Sequence, residues 1–203
     1  MLHKIHRLSA TIVATYALGH LFNHLVALRG IDAHVDFMKA YREIYRYPAL
    51  EALLFLCLTY QIASGSYFII KGWGQRHDFW DKAQALSGAY LVFFLLLHVG
   101  AVLFGRAILK LDTNFYYAAA GLNIAPFPVF FLPYYFLAVV AFFTHVACAF
   151  HRLARGHVTE TMRNKVGYAV VIVSIVLSSI IVATFSGAFY KVDIPREYQK
   201  TFE

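Results

Sequence analysis

Charge is scarce in this chain: Asp, Glu, Lys and Arg together make up 14% of its 203 residues, against 60% that are hydrophobic. So little charge excludes a soluble domain of this size, which could not bury that much apolar side chain behind a mostly polar surface. Cysteine is also scarce. The two present, Cys57 and Cys148, fall inside apolar runs and read as small core residues rather than a disulfide or a metal pair. Acidic residues number 11 against 18 basic ones, a net charge of +7. The basic residues form no arm or stripe, so the excess does not point to nucleic acid; they lie between apolar runs, as membrane-interface anchors do. No shift of composition marks a second domain. No cleavable signal is expected, because the first apolar run is too long for one and four more follow.

What is abundant is apolar sequence in long stretches. About 20 apolar residues are needed to cross roughly 30 Å of hydrocarbon, and five runs qualify: Leu8–Leu28, Ala49–Ile70, Ala85–Gly105, Phe127–Phe150 and Val166–Phe189. Backbone groups in lipid must be satisfied within the segment, so these runs are expected to be helices. The predicted fold is an all-α integral membrane bundle of five transmembrane helices. Residues 29–48 and 106–126 form the longer connections. The first spaces Val35, Met38, Tyr41 and Tyr45 helically among charges, which predicts a short interfacial helix; the stretch Thr113–Leu122 predicts another. Each side of the membrane carries nine Lys and Arg, so charge does not orient the bundle.

An internal echo runs through the first four runs. Ser9 precedes His20 by eleven residues, and Ser87 precedes His98 by eleven. Tyr60-Gln61-Ile62-Ala63 in the second run corresponds to Thr144-His145-Val146-Ala147 in the fourth. The expected arrangement is a parallel two-helix repeat with a fifth helix appended, not the inverted repeat of many transporters.

Four of the ten histidines lie within apolar runs: His20, His24, His98 and His145. An imidazole in hydrocarbon needs a partner, which makes each a functional candidate, and neutral imidazole is an axial ligand of heme iron. At 1.5 Å per residue, His20 lies roughly 18 Å and His98 roughly 20 Å from the amino-terminal side. They are level, in matching positions of the repeat, as a heme held between two helices requires. His24 stands one turn beyond His20 on the same face; it is either an alternative ligand, a hydrogen-bonding neighbour of the cofactor, or a polar packing residue. His145 lies roughly 10 Å from that side, and its expected level partner is Gln61, which is not a usual heme ligand. Either His145 binds a five-coordinate heme alone, or it hydrogen-bonds Gln61 and no second heme is present; the second reading is preferred.

Together these features resemble the five-helix cytochrome b membrane anchor of the succinate dehydrogenase and fumarate reductase family. The resemblance covers nearly the whole chain: the order of runs, Ala49-Leu50-Glu51, Tyr60 followed by Ser64-Gly65-Ser66-Tyr67, and Gln84-x-x-Ser87-Gly88 leading to His98-Val99. It implies a heme b on His20 and His98, with His145 as one ligand of a second heme whose other position is held by Gln61. It further implies soluble flavoprotein and iron–sulfur partners, exchange of electrons with a quinone pool, and an N-terminus inside the inner membrane of a bacterium. His6-Arg7-Leu8-Ser9 is similar to a quinone-adjacent Arg and Ser of related anchors, although Ala10 replaces a glycine; a snorkelling interface cation explains Arg7 equally well. Trp73, Arg76, His77, Asp78 and Trp80, with His151, Arg152, Arg155 and His157, suit either contacts with partners, heme propionates or quinone or an interface belt. Glu51 is a candidate for proton exchange with a quinone, or a simple helix-terminus residue. The rival reading is a standalone or heme-free membrane protein of the same fold, a structural anchor or a heme-based sensor. A transporter is disfavoured by the lack of mid-span carboxylates.

Overall fold

Local signals set where the helices begin. Pro48 and Pro128 occupy first helical positions, where a missing N–H costs nothing. Asp78 caps the next helix by accepting from Asp81 N–H at 2.6 Å, and Asn114 and Thr159 cap two more from Tyr116 and Met162 N–H. The computed structural model describes residues 1–202. Its helices are α1 (Leu2–Val26), α2 (Ile31–Tyr45), α3 (Pro48–Gly72), α4 (Phe79–Ala107), α5 (Phe115–Asn123), α6 (Pro128–Leu153), α7 (Glu160–Phe185) and α8 (Arg196–Gln199). With the short 3₁₀ turns after α1 and α3, five of them run for 26 to 29 residues and are apolar enough to cross a membrane. That is about 39–44 Å of helix.

Several ends depart from the hydropathy reading. α1 begins at Leu2 rather than Leu8, and α4 at Phe79 rather than Ala85, because the helical hydrogen bonds continue into polar residues that hydropathy assigns to the link. α7 stops at Phe185 rather than Phe189, ahead of Gly187, whose φ of 81° breaks the helix. Cys57 and Cys148 are both free and buried, as expected.

The long helices form a ring. α1 packs on α3, α3 on α4, α4 on α6 and α6 on α7, which returns to α1. The α6–α7 seam is tight because α7 turns small residues inward: Gly167, Ser174 and Ser178 are buried against α4 and α6, which lets the backbones approach. Ser178 donates to Phe136 O at 2.8 Å. A Cβ on Gly167 would collide with the Trp80 ring, so α7 starts beside α4. It ends beside α1, where Phe185 meets His24, and so crosses α6 obliquely.

The end of the bundle that carries the carboxy terminus is closed by short elements. Phe115, Ala119 and Leu122 of α5 join Ala27, Ile181 and Phe185 in the main apolar core. Asn123 donates to Phe185 O, Tyr190 to Ala27 O and Tyr198 to Asp112 O. Both predicted short helices are present, as α2 and α5, but α2 does not turn its apolar face to lipid. Its His34 and Met38 are buried, and Tyr41 donates to Tyr16 O at 3.1 Å while its ring lies against Gly19.

Candidate functional site

The ring of helices encloses a cavity of about 690 Å³ that extends along much of the bundle. This lies within the roughly 300–1,000 Å³ of small-molecule and cofactor sites. Small residues on α1 make the space: Ala10, Ala14 and Ala17 line it at helical spacing, below His20. His6, Gln61, His145, Arg76 and Arg152 line its amino-terminal half; His24, His34, Arg46, Glu51 and Arg106 line the other end.

His20 of α1 and His98 of α4 face each other across this cavity, with ring centroids 6.1 Å apart and planes inclined by 60°. The His98 ring stacks on Phe94 at 4.8 Å and hydrogen-bonds no described residue, yet it is not sealed among buried unpartnered atoms; both its nitrogens are open to the cavity. His20 is bonded through Nε2 to Nε2 of His24 at 3.1 Å. His24 turns away from His98 towards Phe185 and stacks on His34 at 5.7 Å between centroids. His34 in turn bonds Asn23 at 3.2 Å. Thus His20 is the ring that meets His98, and His24 is its neighbour.

The residues present fit a heme held by two imidazoles: His20 and His98 face each other across the cavity, the His98 ring hydrogen-bonds no described residue, and Ala10, Ala14 and Ala17 of α1 leave space below His20.

Gln61 and His145 do not bond each other, contrary to the preferred reading; each is held by the helix beside it. Gln61 Nε2 donates to Ser9 Oγ at 2.6 Å and to His6 O at 2.7 Å. His145 Nδ1 lies 3.3 Å from Ser87 Oγ and 3.2 Å from Gln84 O. The partners correspond, a serine and the carbonyl three residues before it, and both serines donate to the carbonyl four residues back, Ile5 O and Ala83 O. Glutamine and imidazole therefore do the same structural task on the two helix pairs.

The remaining candidates divide between the cavity and the rim. His6 lines the cavity and meets Ser64 Oγ at 2.7 Å through Nδ1. Arg7 is exposed at the cavity's edge. Arg76 folds back onto Phe68 O and Ile69 O, and Arg152 bridges Asp81 at 2.8 Å. His77 is exposed and lines no part of the cavity. Asp78, besides capping α4, pairs with Arg155 at 3.3 Å; the bond from Asp81 N–H, with Arg155 beside it, holds its carboxyl below the usual range. Trp80 and His151 are buried, not part of a belt: the rings stack at 4.8 Å and both bond Asn164 Oδ1. Glu51 is neither free nor a mere terminus residue, since Arg106 of α4 donates to it at 2.7 Å. Sequence reasoning missed Arg106, whose partner Glu51 lies on another helix, and Asn23 and His34, which meet across the turn between α1 and α2.

The fold and site define a five-helix, membrane-spanning all-α protein with a histidine-lined internal cavity. In comparisons with family models, curated proteins and solved structures, the chain matches none.

Proposed function

We propose that this protein is a heme b-binding membrane anchor that passes electrons between a quinone pool and soluble flavoprotein and iron–sulfur subunits, in a complex of the succinate dehydrogenase or fumarate reductase type. The observation that carries the reading is the unpartnered His98 ring facing His20 at 6.1 Å in a cavity of cofactor size. An imidazole in an apolar interior without a partner is costly, and a metal bond to each ring removes that cost.

A bound heme supplies a one-electron carrier; orientation and exclusion of water are the chain's contribution. His98 is oriented by its stack on Phe94, and His20 by Tyr16 at 5.8 Å on one side and His24 on the other. Arg46 and Arg106 line the cavity beyond the histidines and suit propionate carboxylates. The lid of α2 and α5 keeps water from that end. The corresponding serine clamps of Gln61 and His145 support a parallel repeat of α1–α3 and α4–α6, and the amide at Gln61 supports one heme rather than two. Arg7, Arg76 and Arg152, gathered at the amino-terminal end, suit docking of the soluble partners there, with that end inside.

The test is heme content per purified chain, together with recovery of flavin- and iron–sulfur-containing subunits from membranes on a tagged chain. One heme per chain and both subunits are expected. A chain purified from heme-replete cells without heme overturns the reading, and a heme-loaded chain that recovers neither subunit removes the anchor role.

A further inference from the structure

We infer that the slot between the amino-terminal half of α1 and the carboxy-terminal half of α6 is a binding site for one anionic phospholipid, with its phosphate at Lys4 and Arg7 and one acyl chain closing the side of the cavity. The inference goes beyond the function proposed above and needs neither heme nor soluble partners to hold.

One set of hydrogen bonds orients each wall of the slot. Ser9 of α1 accepts from Gln61 and so faces α3. Each residue turns the helix by roughly 100°. With Ala10 lining the cavity, Thr11 therefore stands on the flank away from α3. Lys4 and Arg7, seven and four residues before Thr11, fall on the same stripe, and all three are exposed. On α6, His145 faces α4 through Ser87 and Gln84. Val146 and Leu153, further round that helix, line the cavity while 43% and 55% exposed. Arg7 and Thr11 do both on α1. A side chain that lines an internal cavity and is also open to the outside marks a mouth, and here one stands on each wall.

No other helix fills this interval. α1 packs on α2, α3 and α7, and its meeting with α7 is at the far end, where His24 touches Phe185. The first half of α7 packs instead at Trp80, Ala147 and Cys148, on another face of α6. Ala14 of α1 and Ala149 of α6 line the slot and leave it room for an unbranched chain. An unfilled apolar slot forfeits dispersion contacts on both walls, and an acyl chain supplies them.

Depth and charge select the headgroup. A helix of about 40 Å exceeds a hydrocarbon layer of roughly 30 Å by about 5 Å at each end. Lys4 lies roughly 3 Å and Arg7 roughly 8 Å along α1, on either side of the headgroup boundary. Thr11 lies roughly 14 Å along α1 and Val146 roughly 10 Å from the end of α6, among acyl chains. Neither Lys4 nor Arg7 has an acidic partner among the described residues. Arg152 stands at the same mouth, but Asp81 meets its charge. The carboxylate that lines the cavity, Glu51, is at the opposite end and paired with Arg106. Two unmatched cations thus stand over an apolar slot. They attract a phosphate of net negative charge more than one already balanced by its own ammonium group.

The test compares phosphatidylglycerol with phosphatidylcholine of identical acyl chains. The full chain is reconstituted in nanodiscs holding equal amounts of both, extracted into mild detergent and measured by native mass spectrometry. One retained phosphatidylglycerol per chain is expected, favoured about 25-fold over phosphatidylcholine, at roughly fivefold for each cation. Lys4→Gln and Arg7→Gln each lower that preference about fivefold. Lys71→Gln, which alters an exposed cation at the same end of α3, leaves it unchanged. Ala14→Phe fills the slot and abolishes retention of either lipid, and glycerol phosphate, a headgroup without chains, does not displace the bound lipid. Equal retention of the two lipids by the unaltered chain overturns the headgroup site, and this comparison needs no variant to fold. Displacement by glycerol phosphate, or undiminished retention in Ala14→Phe, overturns the acyl-chain slot. A chain that keeps no lipid overturns both, whatever its heme content; selective retention by a heme-free chain supports this inference while the heme assignment fails.

Discussion

His20 and His24 share a single hydrogen bond between their Nε2 atoms, 3.1 Å apart. One Nε2 carries the proton and the other accepts it, so neither Nε2 offers a free lone pair to a metal while that bond stands. His24 also has a buried, unpartnered Nδ1, whereas His20 is the ring that meets His98. His24→Leu therefore frees His20 Nε2 and removes a buried polar atom. The variant is expected to retain heme at least as well as the parent, with a low-spin absorption spectrum. Loss of heme in His24→Leu together with retention in His20→Leu shows that the α1 ligand is His24.

Gln61 ties α3 to α1 through Ser9 and the His6 carbonyl. Its acceptors keep other roles when the amide is removed, so the cost of Gln61→Leu is that of interhelical hydrogen bonds in lipid, about 0.6–1.7 kcal/mol. His145→Leu removes the corresponding clamp between α6 and α4 and is expected to cost a similar amount. Equilibrium unfolding in detergent measures both. A loss several times larger in one variant alone contradicts the equivalence of the two clamps.

Glu51 and Arg106 close the far end of the cavity with a half-buried ion pair, 2.7 Å between charged atoms. Removing one member strands the other, which costs more than removing both. Glu51→Gln or Arg106→Gln is expected to destabilise by about 1–3 kcal/mol, allowing for the water that still reaches the pair. The double variant recovers part of that loss. Strictly additive losses in the double-mutant cycle contradict the pairing.

His34, on α2 between the bundle and the short helices, is 2% exposed. Burial, with His20 and the Arg42 charge adding to it, holds its imidazole down at about 4, against an ordinary value of 6.5. The unfolded chain takes up this proton near pH 6.5 and the folded one only near pH 4. Its contribution is therefore complete above pH 6.5 and falls away as the pH drops to 4, by about 3 kcal/mol in all. His34→Gln, which does not titrate, is expected to lose less stability across that window than the parent. Parallel pH profiles for the two proteins contradict the assignment.

The five long helices and the nearness of His20 to His98 were legible because both depend on local quantities: run length, and depth counted at a fixed rise per residue. Both short helices were legible from spacing for the same reason. The face that α2 buries was not, since periodicity reports an apolar stripe and not what covers it; Tyr41 seats on Gly19, twenty-two residues earlier, through the fold alone. The helices α1 and α4 begin ahead of the apolar runs Leu8–Leu28 and Ala85–Gly105, because hydropathy marks where lipid begins rather than where helical hydrogen bonding does. Glu51 was read alone because its partner Arg106 lies on another helix with no motif linking the two. The Gln61–His145 bond was expected from depth, but each side chain found a nearer serine.

The most direct test of the account is the visible spectrum of the purified protein and of two variants, His20→Ala and His98→Ala. The parent is expected to show a low-spin, bis-histidine b-type spectrum, and each folded variant to lose it. A low-spin spectrum that survives both substitutions, or a parent without bound heme, contradicts the assignment of His20 and His98 as the ligand pair.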